Sequence, residues 1–179
     1  MGDGSALVVM GVSGAGKSTI AAAVAARVGG IFLDADDFHP ASNVAKMTAG
    51  FPLDDDDRAP WLAAVGEEIA RRTAAGETVV VACSSLKRAY RDALRARADG
   101  TCFALLDGSP ELLATRLGAR ADHFMPATLL NSQLVALERL QPDETGFAVD
   151  ISQTPDAITA EVVACWRDVA EAAARHPRI

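Results

Sequence analysis

The stretch ALVVMGVSGAGKSTIAAAVAARV, residues 6–28, decides the fold. Five apolar residues lead into a glycine-rich turn, and the turn opens directly into an alanine-rich helical pattern. Gly11 to Ser18 fits the spacing G-x-x-x-x-G-K-[ST] of a phosphate-binding loop, and here it stands between a strand and a helix, as that loop requires. Gly11, Gly14 and Gly16 let the backbone curl tightly and approach a phosphate without a Cβ in the way. Successive N–H groups of Val12, Ser13, Ala15 and their neighbours then point inward, and the helix start adds partial positive charge. Lys17 is expected to reach the β- and γ-phosphates of a bound nucleotide, Ser18 to ligate Mg²⁺, and Thr19 to border the nucleotide.

Outward from this stretch, apolar runs alternate with helical patterns. Residues 6–10, 30–34, 78–83, 102–107 and 147–151 read as short buried strands. Residues 17–28, 58–75, 86–98, 109–120, 126–140 and 155–175 read as helices. Such alternation predicts an α/β fold, a parallel sheet covered on both faces. The 179 residues contain no repeat and no linker, so one domain over 1–179 is expected. Half the residues are hydrophobic and only 5% are aromatic, which asks for a core of Ala, Val, Leu and Ile. A net charge of −7 argues against a general nucleic-acid binder, while leaving room for a local cationic site for a small anion. Cys83, Cys102 and Cys165 have no zinc spacing and read as buried free thiols. With no run near the ~20 apolar residues of a membrane span, the expectation is a soluble cytoplasmic protein with no membrane partner.

The polar segments 34–57 and 120–128 fall where an α/β protein places its ligands. In FLDADDFHP, residues 32–40, Asp34 and Asp36 share a side if the strand persists through Asp36. Two carboxylates beside a phosphate loop suit one role on the metal, for Asp34, and one on an acceptor hydroxyl, for Asp36. A polar strand end with an aspartate capping a turn is the alternative. His39, before Pro40, lies on extended or turning backbone. In GFPLDDDDRAPW, residues 50–61, Asp56 or Asp57 is expected to cap a helix starting at Arg58. The run lacks the alternation and distal Glu of a calcium loop. Arg58 then starts that helix near the acceptor, where a guanidinium suits a planar carboxylate. Lys87 and Arg91 are i,i+4 on one helix face, either meeting the acceptor or facing solvent.

GVSGAGKST, LDADDFHPASNVAKMTAGFPLDDDDRAPWL, CSSLKRAYRDALR and HFMPATLLNSQLVALE together, over roughly residues 6–165, resemble bacterial-type gluconate kinases. The resemblance implies a three-layer α/β/α P-loop fold, adenylate-kinase-like, with a five-stranded parallel sheet and a mobile lid near 120–128. It implies ATP-dependent phosphorylation of D-gluconate to 6-phospho-D-gluconate, often by a homodimer. Within it, Arg116 would cover the adenine, Arg120 would meet the transferring phosphoryl group, and Gln133 would touch the sugar acid. Substrate contacts are expected from Asp36, His39, Lys46, Arg58, Lys87, Arg91 and Gln133, and the acceptor segment spans about 34–60. A kinase for another small acceptor, such as shikimate, and a non-catalytic ATP switch are the alternatives.

Overall fold

The computed structural model describes residues 4–119 and 127–175. Five strands form one parallel sheet: β1 (Ser5–Met10), β2 (Ile31–Asp34), β3 (Thr78–Ala82), β4 (Cys102–Asp107) and β5 (Gly146–Asp150), in the order β2-β3-β1-β4-β5. The helices are α1 (Lys17–Val28), α2 (Ala41–Thr48), α3 (Asp55–Ala74), α4 (Arg88–Arg95), α5 (Pro110–Gly118), α6 (Ala127–Ala136) and α7 (Pro155–Arg175). A 3₁₀ turn, Ala35–Phe38, follows β2.

Strand alternation sorts the core into two layers. Leu7 and Val9 of β1, Val80 and Ala82 of β3, and Ala104 and Leu106 of β4 pack with Ile20, Val24, Ile158 and Trp166 of α1 and α7. Their neighbours Ala6, Val8, Met10, Val79, Val81, Phe103 and Leu105 face the other way, onto Trp61, Val65 and Ile69 of α3 and Leu94 of α4. Both faces of the sheet are therefore dry, which is why its strands read as unbroken apolar runs.

The chain leaves β1 toward β3 on one side and returns to β4 on the other. The crevice at a parallel sheet's carboxyl edge opens where strand order reverses, here beyond the end of β1. The segments after β1, β2, β3 and β5 all reach that edge.

Two elements differ from expectation, α2 and the start of α3. Helix α2 lies inside a segment that reads as polar turns, and only Asn43 of it is buried. Helix α3 begins at Asp55, and its cap is Asp54 instead of Asp56 or Asp57. Asp54 and Asp57 form a reciprocal capping box, each side chain accepting the other's backbone N–H at 2.9 Å. Strand β2 stops at Asp34, so Asp36 lies on the 3₁₀ turn and the shared-strand argument for the two carboxylates fails.

Candidate active site

The phosphate loop closes on itself before any ligand is considered. Ala15 N–H bonds Val12 O at 3.3 Å, Gly11 N–H bonds Ser84 O at 3.2 Å, and Lys17 Nζ reaches back to Val12 O at 3.2 Å. Val12 and Ala15 bury their side chains in the core, so they offer a ligand only backbone. At Gly14 (φ 84°) a Cβ would press on Leu117 Cγ at 2.9 Å, so this glycine permits both the turn and the close approach of α5. At Gly16 (φ 93°) a Cβ would meet nothing within 4 Å. The open space there is a cradle at the N-terminus of α1, where N–H groups and the helix dipole favour an anion. The side chain of Thr19 is exposed on the first turn of α1.

Ser18 Oγ donates to Asp34 Oδ2 at 2.9 Å, while Asp34 Oδ1 accepts from Asp36 N at 3.1 Å. Asp34 thus caps the turn and also presents its second oxygen beside the phosphate loop. A hydroxyl and a carboxylate side by side are hard oxygen donors of the kind Mg²⁺ takes from a protein when phosphates and water supply its remaining ligands. Ser18 and Asp34 fit that ion.

Asp36 projects from the turn beside His39, whose Nε2 is 3.8 Å from Asp36 Oδ1. His39 stacks on Trp61 with ring centroids 4.3 Å apart, and Trp61 Nε1 donates to Ala35 O at 2.6 Å. The buried Asn43 amide donates to Asp57 O at 2.8 Å and lies 3.4 Å from His39 Nδ1. That carbonyl can only accept, so the Asn43 nitrogen is the donor. Nδ1 therefore accepts, and the His39 proton sits on Nε2, facing Asp36. Burial lowers the His39 pKa; Asp36 opposes this and Arg58 adds to it. Burial also pushes the Cys83 thiol just past β3 up to about 11, opposed chiefly by hydrogen bonds with Ser85. Through Ser18 and Asp34 the phosphate loop is tied to the turn that carries Asp36, the acceptor-base candidate.

Beside them lies an open cleft of about 620 Å³, lined by Leu53, Asp55, Arg58, Lys87, Tyr90 and Ala136 among others. Arg58 Nη2 donates to Leu53 O at 3.1 Å, and its guanidinium stands 5.6 Å from the Tyr90 ring centroid. Lys87 Nζ stands 5.4 Å from the same centroid and bonds Asp55. Lys46 is held by Asp54 and Asp57, whose hydrogen bonds raise its pKa.

Arg91 is corrected by the structure. It does not share a solvent or acceptor face with Lys87, because its side chain is fully buried. Its Nε and Nη2 meet the two oxygens of Glu144 at 2.7 Å, and its Nη1 bonds the carbonyls of Ser85 (3.1 Å) and Glu138 (3.1 Å). Arg91 pins α4 to residues 138–144. Of the three cysteines, Cys83 and Cys102 are buried as expected, whereas Cys165 is only half-buried. Gln133 Oε1 accepts from Ser13 N at 2.7 Å, against the phosphate loop and outside the cleft lining. Arg116 Nη2 donates to Ile151 O at 2.6 Å, just past β5. Arg120 and most of the expected lid, residues 120–126, lie outside the described residues.

Tyr90, Asn43 and Asp55 escape the sequence reading. Tyr90 had a signal: it is the one tyrosine of the chain, three residues after Lys87 on a helix. Asn43 had none, since its role depends on a turn that brings Asp57 to it.

The chain matches the family model described as an AAA domain over residues 7–140. It is 46% identical over 157 residues to the gluconokinase of Gluconobacter oxydans, covering 88% of each chain. It is 43% identical over 159 residues to the thermosensitive gluconokinase of Escherichia coli K12, covering 88% of this chain and 85% of that one. The crystal structure of a gluconokinase from Sinorhizobium meliloti superposes with a TM-score of 0.88 at 45% identity, covering 97% of this chain and 98% of that one. With a phosphate loop, a metal-suited Ser–Asp pair and a charged cleft holding Arg58 and Lys87, and relatives this similar over nearly their whole length, the chain belongs to the gluconokinase family.

Proposed function

We propose that the chain transfers the γ-phosphoryl group of ATP to the 6-hydroxyl of D-gluconate, giving ADP and 6-phospho-D-gluconate. One observation carries this reading: Ser18 of the phosphate loop is hydrogen-bonded to Asp34 at the end of β2, which caps the turn carrying Asp36, next to a cleft that holds Arg58 and Lys87. A phosphoryl donor and an acidic polyol bound in these two places would meet at that strand end.

Each group then has a chemical role. The loop amides and Lys17 hold the β- and γ-phosphates, and Arg116 borders the nucleotide side. Asp36 orients the 6-hydroxyl and takes its proton as the oxygen–phosphorus bond forms and the bond to ADP breaks. His39, with its proton on Nε2 facing Asp36, helps to aim that carboxylate. Arg58 and Lys87 receive the carboxylate at the far end of the acceptor, with Lys46 further along the same acidic segment. When bound to Ser18 and Asp34, Mg²⁺ supplies positive charge to the phosphate oxygens. Arg120 belongs to the same reading as the cation that meets the transferring group, and closure of the lid over it would exclude water.

Among the described residues no helix is long and apolar enough to cross a membrane, and a cytoplasmic homodimer is part of the proposal. The decisive experiment measures ADP release from Mg²⁺-ATP with D-gluconate, other aldonates, shikimate, AMP or no acceptor. Stimulation by D-gluconate well above the rest is expected. Preference for another acceptor would overturn the substrate assignment, and ATP binding without any stimulation would favour a switch.

A further inference from the structure

The cleft already contains a carboxylate, and it belongs to the protein. Asp55 Oδ1 and Oδ2 accept from Lys87 Nζ at 2.8 and 3.0 Å, and Tyr90 Oη donates to Asp55 Oδ1 at 2.5 Å. Lys87 first, then Tyr90, hold the Asp55 carboxyl below the ordinary carboxylate range. Asp55 lies in the first turn of α3, where a carboxylate complements the helix dipole, but the cap does not depend on it. The capping box is complete with Asp54 and Asp57, and those two carboxylates also hold Lys46. Asp55 reaches across from α3 to α4 instead, into the pocket where Arg58 and Lys87 flank the Tyr90 ring.

We propose that Asp55 is a resident occupant of the acceptor's carboxylate subsite: Lys87 and Tyr90 hold it when the acceptor is absent, and acceptor binding exchanges it for the acceptor's own carboxylate. The inference rests on reading the cleft as the gluconate pocket, and it deepens that reading by making Lys87 and Tyr90 the groups that recognise the acid. Exchange conserves the hydrogen bonds and the charge on Lys87, because one carboxylate replaces another. The Asp55 side chain is 65% exposed and Lys87 37%, so Asp55 can swing into water without burying its charge. A polyol lacking a carboxylate offers Lys87 nothing in exchange, so the ion pair would stay closed against it. Such internal competition discriminates by rejecting the wrong ligand as well as by attracting the right one.

The test is the KM for D-gluconate of Asp55→Asn, measured in the otherwise unaltered enzyme and in a Lys87→Ala background. Removing the resident anion raises the fraction of open subsites, so KM should fall roughly three- to tenfold. In the Lys87→Ala background the same change should leave KM where Lys87→Ala put it. Asp55→Ala gives a second reading in case asparagine keeps the hydrogen bonds, and a melting curve of each variant separates loss of fold from loss of function. A raised KM would mean that Asp55 contacts the acceptor directly, and an unchanged KM that it competes with nothing; either overturns the proposal. If the unaltered enzyme itself shows no gluconate-stimulated ADP release, the substrate reading falls, and this proposal with it. If it shows stimulation and Asp55→Asn fails to lower KM, only this proposal falls.

Discussion

Asp36 gains its proposed role from the company that the turn after β2 gives it. Among the described residues the one ionisable partner within 4 Å of its side chain is His39, at 3.8 Å, and burial lowers the His39 pKa. A carboxylate in that position is available to accept a hydroxyl proton. Asp36→Asn keeps the size and the turn while removing the base, so it should lower kcat by roughly 10²–10⁴-fold. Its melting temperature should stay close to that of the parent enzyme, since Asp34 and not Asp36 caps the turn. Steady-state kinetics beside a thermal melt checks both halves, and a near-normal kcat would remove Asp36 from the base role. Local chemistry is legible in the sequence where a motif a few residues long carries it, as in the loop from Gly11 to Ser18; the Ser18–Asp34 hydrogen bond joins α1 to the end of β2 and needs the fold. So does the tautomer of His39, because it rests on Asn43 and Asp57, which only the fold brings together.

Among the elements, α4 shows where legibility stops. The i,i+4 spacing of Lys87 and Arg91 places them along one helix face, but which part of that face is covered depends on residues 137–145, an irregular segment whose first four residues read as the end of a helix that in fact stops at Ala136. That segment lies over the first turns of α4: Glu138 N bonds Leu86 O at 2.8 Å, Arg88 bonds Asp143 at 2.7 and 2.8 Å, and Glu144 joins Arg91 and Arg95. Helix α2 is hidden for a related reason, since most of it is exposed and its polar residues look like turns. The Arg91–Glu144 pair is fully buried, so removing one partner strands the other's charge in the core. Arg91→Ala or Glu144→Ala should therefore cost about 3–5 kcal/mol in chemical denaturation, and replacing both by apolar residues should recover much of it. The pair also predicts an acid limb. Arg91, then Arg95, hold the Glu144 carboxyl at about 2, against 4.5 when unperturbed. Because its folded pKa is lowered, its contribution is complete above pH 4.5 and is lost as pH falls from there toward 2. Glu144→Gln should be less stable at neutral pH and lose less stability across that window; parallel acid limbs would contradict the assignment.

For the whole molecule, the sheet joins two core layers, and Leu137 packs against both of them. Trp61 reports from the α3 side and Trp166 from the α7 side, at 2% and 7% exposure. The nucleotide loop lies between them, because Gly11 is bonded to the end of β3 while α1 packs beneath β1 and β3. A ligand held there should stabilise both layers together. With ATP and Mg²⁺ at about a hundred times the dissociation constant, linkage adds roughly 2.7 kcal/mol to the folded state. For a chain of this size that corresponds to a rise of about 5–10 °C in Tm. Tryptophan fluorescence and far-ultraviolet circular dichroism should record the same single transition before and after the shift. Lys17→Ala removes the ammonium proposed to hold the phosphates, so its shift should shrink well below that of the parent chain, with the ligand-free Tm little changed. Two separated transitions, or a shift seen by one probe alone, would mean that the layers unfold independently and that the site is not held by the sheet as a whole.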